Sequence, residues 1–196
     1  MDIIRRIGKN FSESSRITLQ VIDSIAPDIA RAAELMSCAI INNHKVIVFS
    51  DPSCAAFSGY FVSKMLVGLE VSRPGFTAME LIPNFSSVFP IARDHGYASL
   101  LSRQLGVFGQ PDDVLLVVNP GGSVESFPDL LAMAREREVS VVAITANNIL
   151  SPFLQASDVC IDIPSESSIR AEEVHLIILN CICDALDCLL LGLEDV

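Results

Sequence analysis

Two polar turns in this chain combine backbone N–H groups and hydroxyls in the way that an anion-binding site requires. The first, "SDPSC" (residues 50–54), follows the apolar run "KVIVF", and the second, "NPGGS" (residues 119–123), follows "DVLLVV". A helical pattern resumes after each turn. Since a helix N-terminus offers free N–H groups and a positive dipole, the pattern predicts that these turns form an anion site, most simply for a phosphate.

Other catalytic motifs are absent from the sequence. Neither of the nucleotide-binding patterns G-x-x-x-x-G-K-[ST] and G-x-G-x-x-G occurs, and no G-x-S-x-G motif supplies a nucleophilic serine. Glu172 and His175 are three residues apart on a predicted helix, so an acid–base or metal-binding pair is one interpretation. A surface or interface pair without chemistry is the simpler interpretation.

The composition indicates one folded domain that spans residues 1–196. Hydrophobic residues make up 51% of the chain and charged residues 19%, which excludes a disordered protein. The net charge of −11 argues against direct contact with nucleic acid, because the phosphate backbone would be repelled. The six cysteines follow no zinc-binding or redox spacing, and we expect neither a metal nor a cofactor.

The two ends of the chain predict a cytoplasmic protein without a membrane anchor. The N-terminal segment "MDIIRRIGKNF" lacks the apolar core of a signal peptide. The segment "VHLIILNCICDALDCLLLGL" is apolar enough to suggest a membrane span, but Asp184 and Asp187 interrupt it. Because a carboxylate in the middle of a bilayer is strongly unfavourable, we interpret this segment as a buried core helix.

The elements that position the two turns alternate between strands and helices. Apolar spacing also predicts two helices ahead of the first strand, over Arg5–Ile25 and from Pro27 to Asn42. Strands that alternate with helices predict a parallel sheet, so the fold class is α/β: a three-layer sandwich with a five-stranded parallel sheet flanked by helices, and an extra N-terminal helix for oligomerisation. The predicted strands are Lys45–Ser50, Thr77–Ile82, Asp113–Val118, Val139–Thr145 and Val159–Pro164, and the predicted helices after them are Ser53–Gly68, Val88–Arg93, Tyr97–Leu105, Val124–Arg137 and Ser168–Leu191.

Several segments, in their order and spacing, resemble the SIS (sugar isomerase) domain. They include "RAAELM", "RPGFTAMEL", "DVLLVV", "VVAIT" and "CIDIPS". Within that family the chain resembles the group of bacterial phosphoheptose isomerases and DnaA initiator-associating proteins, and the resemblance covers nearly the whole chain. The last segment, "AEEVHLIILNCICDALDCLL", looks most like the initiator-associating branch.

The resemblance also implies where the chemical groups of an isomerase would lie. On the helix after the first strand the isomerases place a metal-binding His and a catalytic Glu, where this chain has Tyr60 and Lys64. On the last helix they place a Gln and a His, where this chain has Glu172 and Asn180. We therefore predict that these four residues are degenerate catalytic positions and that the isomerase mechanism is incomplete.

The phosphate-binding turn also departs from the pattern of the family. Pro120 has no N–H to donate, and Asp51 adds a negative charge near the place where an anion would sit. We expect the architecture of a ligand site to persist while most of its phosphate chemistry is lost. The vestigial ligand-binding residues are predicted to be Ser53, Cys54, Asn119, Gly121, Gly122 and Ser123.

These departures lead to the prediction of a non-catalytic SIS-domain oligomer, expected to be a homotetramer. By resemblance it would bind a DnaA-type initiator protein and act as a scaffold and regulator of replication initiation. The resemblance assigns the partner contact to Leu190 and Leu191, although burial of the end of the last helix explains these residues equally well. Two alternatives remain open: a sensor that binds a sugar phosphate, and a phosphoheptose isomerase that acts on sedoheptulose 7-phosphate through a rearranged site.

Overall fold

A five-stranded parallel sheet forms the middle layer of the protein. The computed structural model describes residues 2–81 and 85–193, apart from the side chain of Phe85. The strands are β1 (Val46–Ser50), β2 (Ala78–Glu80), β3 (Val114–Asn119), β4 (Ser140–Ala146) and β5 (Val159–Ile163). Their order in the sheet is β2-β1-β3-β4-β5, and all neighbouring strands are parallel. The predicted fold class is confirmed, although β2 is shorter than predicted and Ile82, its predicted end, lies outside the described residues.

Helices cover both faces of the sheet. One layer packs on one face through a single apolar cluster, and the other layer packs on the opposite face through a second cluster. The first layer consists of α1 (Ile3–Ile41), α2 (Ala56–Val67) and α6 (Ser168–Leu191), and the second contains α4 (Ser99–Phe108) and α5 (Phe127–Glu136), with α3 (Phe85–His95) beside α4.

The strands read as continuous apolar runs because both of their faces are buried. Every residue of β1 and β3 is buried. Val46 and Val48 of β1 belong to the cluster under α1 and α6, whereas Ile47 and Phe49 belong to the cluster under α4 and α5. This arrangement is the usual reason why strands of a covered parallel sheet lack polar alternation.

The N-terminal region is one helix of 39 residues, so the prediction of two helices divided at Pro27 was wrong. Proline removes one helical hydrogen bond and usually ends a helix. Here Ile25 and Ile29, on either side of Pro27, are both buried against the core. We conclude that packing on both sides of Pro27 outweighs its local preference.

Helix α6 is a core helix on its inner face. Val174, Ile178 and Ile182 are buried in the cluster shared with α1 and the sheet. Asp187, one of the two residues that argued against a membrane span, is buried and pairs with the guanidinium of Arg73. By length and composition alone α6 could cross a bilayer, and among the described residues it is the one helix that meets this test.

Candidate functional site

A cavity of about 390 Å³ opens at the carboxyl ends of β1 and β2. The loop after β1 contributes Asp51 and Pro52 to its wall, and the loop before α5 contributes Ser123 and Ser126. In open parallel sheets, ligands bind outside the carboxyl ends of the strands. The cavity therefore lies where the two polar turns of the sequence predicted a site.

The turn after β3 is closed by the side chain of Asn119, the last residue of that strand. Its Oδ1 accepts hydrogen bonds from the N–H groups of Gly121 and Gly122, at 2.9 and 2.7 Å, and its Nδ2 donates to the carbonyl oxygen of Ser123 at 3.2 Å. Asn119 is completely buried. Two N–H groups that would serve an anion are thus already bonded to the protein.

Each of the two glycines of this turn is required for a different structural reason. Gly121 has a φ of +121°, which side chains with a Cβ rarely adopt. At Gly122, an added Cβ would collide with the carboxylate of Asp51. The glycine pair therefore allows one sharp turn and one close approach by a side chain of the neighbouring loop.

The turn after β1 is organised around that same carboxylate. Oδ1 of Asp51 accepts hydrogen bonds from the N–H of Ser53 at 2.9 Å and from its hydroxyl at 2.6 Å. Cys54 donates its N–H to the carbonyl oxygen of Asp51 at 2.8 Å, and its thiol lies 3.8 Å from the carbonyl oxygen of Val118. The two predicted anion-binding turns are therefore in contact, with a carboxylate between them.

Three of the four residues matched to the isomerase chemistry come together between α2 and α6. The hydroxyl of Tyr60 donates a hydrogen bond of 2.6 Å to Oδ1 of Asn180. Nζ of Lys64, one helical turn after Tyr60, lies 5.4 Å from the centre of the Tyr60 ring. The result is a cation, a phenol and an amide grouped on one side of the sheet.

Glu172, the fourth matched residue, lies at a different level of the same interface. It is eight positions before Asn180 in α6 (180 − 172 = 8), or about 12 Å along the axis at roughly 1.5 Å per residue. Burial raises the pKa of the Cys54 thiol to about 12, and the negative charges of Asp51 and Glu172 contribute. Glu172 is therefore close enough to the loop after β1 to affect that thiol, and it lies away from Lys64.

The side chains at these positions do not fit the metal that the family resemblance implies. Zinc in proteins takes thiolate, imidazole and carboxylate ligands, whereas Lys64 is a donor without an acceptor and Tyr60 already bonds to Asn180. Across residues 2–81 and 85–193, no group of three or more His, Cys, Asp or Glu is arranged to hold a metal ion. We therefore derive no chemical step through a metal.

His175 is not available as a partner of Glu172, because it is completely buried. Its Nε2 lies 3.2 Å from the carbonyl oxygen of Thr145, and its Nδ1 has no partner among the described residues. Both interpretations of the Glu172–His175 spacing are therefore wrong. The spacing shows that the two residues share a face of the helix. It does not show which part of that face packs against the sheet.

Ser50 is one of the residues of the cavity that sequence reasoning did not single out, as are Ser58 and Ser126. It is the last residue of β1, it lines the cavity, and its hydroxyl has no hydrogen-bond partner within the described chain. A hydroxyl at the end of an otherwise apolar strand was the available signal. The sequence predicts Ser50 as the last residue of the first strand and the first residue of the turn, without a role in the site.

Known proteins resemble this chain over its full length. The sequence profile of the SIS domain matches residues 10–146. A phosphoheptose isomerase from Aromatoleum aromaticum is 36% identical over 197 residues, which cover all of both chains. One from Coxiella burnetii is 33% identical over 189 residues, or 95% of each chain. The structure of a phosphoheptose isomerase from Francisella tularensis gives a TM-score of 0.88 at 26% identity, covering 95% of this chain and 99% of that one.

These relatives contradict the prediction of a non-catalytic scaffold for replication initiation. They carry the name of the isomerase at one-third identity over the full length, and nothing supports the initiator-associating branch or a DnaA-type partner. The expectation that the chain is not an enzyme likewise has no support. Leu190 is half-buried and packs against the core under α6, so burial accounts for this residue without a partner protein. Leu191 is the last residue of α6 and is 38% exposed.

Proposed function

The chain belongs to the SIS domain family, and from this premise we propose that it is a sugar-phosphate aldose–ketose isomerase of the phosphoheptose isomerase type. The observation that carries the proposal is the 36% identity to a phosphoheptose isomerase over the whole of both chains. The substrate we propose is sedoheptulose 7-phosphate.

The cavity at the carboxyl edge of the sheet supports the proposal. Its volume of about 390 Å³ lies within the range of roughly 300–1,000 Å³ that small-molecule sites occupy. Four serines in its wall offer hydroxyls to a sugar, and the aromatic rings of Phe49 and Phe127 provide an apolar floor. The four serines are Ser50, Ser58, Ser123 and Ser126.

Aldose–ketose isomerisation moves a proton between neighbouring carbons, so it needs a base and a group that stabilises a negative oxygen. We assign the base to Glu172, because it is the carboxylate among the matched residues and it lies near the loop after β1. The ammonium group of Lys64 is a hydrogen-bond donor without an acceptor, so we assign Lys64 the stabilisation of negative charge on the part of the substrate that lies away from Glu172. Tyr60, held by Asn180, would position that end of the substrate.

Exchange of a C1 proton of sedoheptulose 7-phosphate with solvent deuterium, followed by NMR, tests this proposal. We expect exchange with sedoheptulose 7-phosphate in the wild type, and a loss of at least about tenfold in Glu172→Ala and Lys64→Ala. Glu136→Ala, which removes an exposed carboxylate on α5, serves as the control. A wild type without exchange would overturn the proposal.

Binding without conversion is a second candidate, and the hydrogen bond between Tyr60 and Asn180 favours it. That bond occupies two positions where the family resemblance implies histidines. A protein of this kind would take up the sugar phosphate as a signal. Calorimetric binding together with an absence of C1 exchange would distinguish it from the isomerase.

We also propose that the protein is a homo-oligomer, expected to be a tetramer, and that it is cytoplasmic. The N-terminal half of α1 supports the first of these proposals. Its side chains Ile4, Phe11 and Leu19 are 83%, 72% and 76% exposed. Large apolar side chains along one free helix are typical of a surface that another chain covers.

A further inference from the structure

The carboxylate of Asp51 occupies a recess that glycine leaves open. Asp51 is 4% exposed, and its carboxylate lies so close to the backbone of Gly122 that any side chain there would collide with it. The recess joins the loop after β1 to the loop after β3, at the wall of the cavity. Backbone that approaches this closely is the usual feature of a phosphate cradle, and here the approaching group belongs to the protein.

The N–H and hydroxyl groups around this recess already donate hydrogen bonds to acceptors within the protein. The N–H and hydroxyl of Ser53 both donate to Asp51, and the N–H groups of Gly121 and Gly122 both donate to Asn119. Buried polar groups need partners, so acceptors of this kind make the loops stable without a ligand. An incoming phosphate would have to take over donors that are already bonded.

The negative charge of the cavity wall also opposes the binding of a phosphate. Asp51 and Glu125 line it, and none of the described lining residues is Lys, Arg or His. The negative charge of Asp51 also contributes, after burial, to the raised pKa of the Cys54 thiol. Like charges repel each other more strongly at a partly buried site than in water, so a carboxylate in the recess strongly opposes a phosphate beside it.

We propose that the carboxylate of Asp51 occupies the position where the phosphate of a ligand would bind. It thereby determines how strongly the site prefers a phosphorylated sugar over the free sugar. The inference rests on the proposed function, since it concerns the phosphate end of the same sugar-phosphate ligand. In the wild type the phosphate contributes little to affinity, and the sugar hydroxyls, which meet the serines of the cavity, contribute most. A phosphate binds at this position only when the charge of Asp51 is removed or its side chain is absent.

Calorimetric titration of the full-length wild type and of Asp51→Asn tests the proposal, with sedoheptulose 7-phosphate, sedoheptulose and inorganic phosphate as probes. Asparagine keeps an acceptor for Ser53 and removes the charge, so the loop after β1 retains its main contacts. We expect Asp51→Asn to bind sedoheptulose 7-phosphate at least about tenfold more tightly than the wild type, with sedoheptulose unchanged. Asp51→Gly, which empties the recess, should show the same selective gain.

Glu125→Gln is the matched control, because it removes one exposed carboxylate from the cavity wall without emptying the recess. A gain in Glu125→Gln equal to that in Asp51→Asn would assign the effect to net charge and overturn the proposal. Equal affinity of wild type and Asp51→Asn for the phosphorylated sugar, or binding by neither, would overturn it as well. A selective gain in Asp51→Asn without any C1 exchange would support this inference while refuting the isomerase.

Discussion

The hydroxyl of Tyr60 donates a hydrogen bond to Oδ1 of Asn180, a residue 120 positions later in the chain. The bond links α2 to α6, the two helices on which the family resemblance places the isomerase groups. It also fixes the orientation of the phenol ring, beside which Nζ of Lys64 lies. One contact therefore organises a site whose residue types differ from those that the resemblance implies.

Removal of that contact should weaken the protein without unfolding it. Tyr60→Phe deletes the hydroxyl and leaves the half-buried Oδ1 of Asn180 without its partner, so we expect a loss of about 1 kcal/mol in the free energy of unfolding. Urea denaturation measures the change. Tyr97→Phe, at an exposed tyrosine, should have no effect, and an equally stable Tyr60→Phe would show that the bond is absent in solution.

A metal site should appear when acceptor ligands replace the present side chains between α2 and α6. Tyr60→His, Lys64→Glu and Asn180→His together place two imidazoles and a carboxylate where a phenol, an ammonium group and an amide now meet. We expect the triple variant to bind about one zinc ion per chain and the wild type to bind none, as measured by metal analysis after dialysis. Zinc bound stoichiometrically by the wild type would contradict our description of the site.

Acid should destabilise the protein through His175. Burial lowers the pKa of His175 from 6.5 to about 4, because the sheet and α6 exclude the water that would solvate an imidazolium. The unfolded chain binds the proton at a higher pH than the folded chain does. This stabilising effect is therefore complete above pH 6.5 and is lost as the pH falls towards 4, by about 3 kcal/mol at roughly 1.4 kcal/mol per pKa unit.

The variant His175→Gln separates this effect from other titrations. Glutamine does not titrate, so the slope of unfolding free energy against pH between 6.5 and 4 should become shallower, whatever the stability of the variant at pH 7. Urea midpoints at several pH values provide the measurement. An unchanged slope would mean that His175 is not the group responsible.

Charges on the exposed face of α1 should dissociate the proposed oligomer. Ile4→Glu combined with Phe11→Glu places two carboxylates on side chains that are now 83% and 72% exposed. Neither side chain contributes to the buried core, so the fold should survive while the mass in sedimentation velocity falls to that of one chain. Gln20→Glu, on an exposed position of the same helix, is the control. An unchanged mass in the double variant would place the interface elsewhere.

The parallel sheet was predictable because its strands are buried on both faces, and β1 and β3 are therefore uninterrupted apolar runs. Helix α1 was predicted as two helices because the preference of Pro27 is local, whereas the contacts of Ile25 and Ile29 come from distant parts of the chain. The start of α5 was placed three residues early, at Val124, because the bonds of Asn119 hold residues 121–123 in a turn.

The position of the candidate site in the fold was predictable from the sequence, but the contacts between its residues were not. The two turns were expected at one edge of the sheet, and Asp51 was expected near the anion position. That its carboxylate would rest against Gly122 depends on how far two loops approach each other, which no spacing within the sequence encodes. The choice of family branch was wrong because it rested on the resemblance of residues 171–190 and on the departures at the matched catalytic positions, whereas identity over the full length favours the phosphoheptose isomerases.

Residues 3–9 in the first turns of α1 are all exposed, and just after them the guanidinium of Arg170 donates a hydrogen bond of 3.1 Å to the carbonyl oxygen of Asn10. A helical end without tertiary contacts gains little from each added residue, since propagation alone is close to neutral in water. In an isolated chain, amide hydrogens from Ile3 to Lys9 should therefore exchange with solvent almost as fast as in a peptide. Their protection should rise with protein concentration, which makes order in this segment a direct report of assembly.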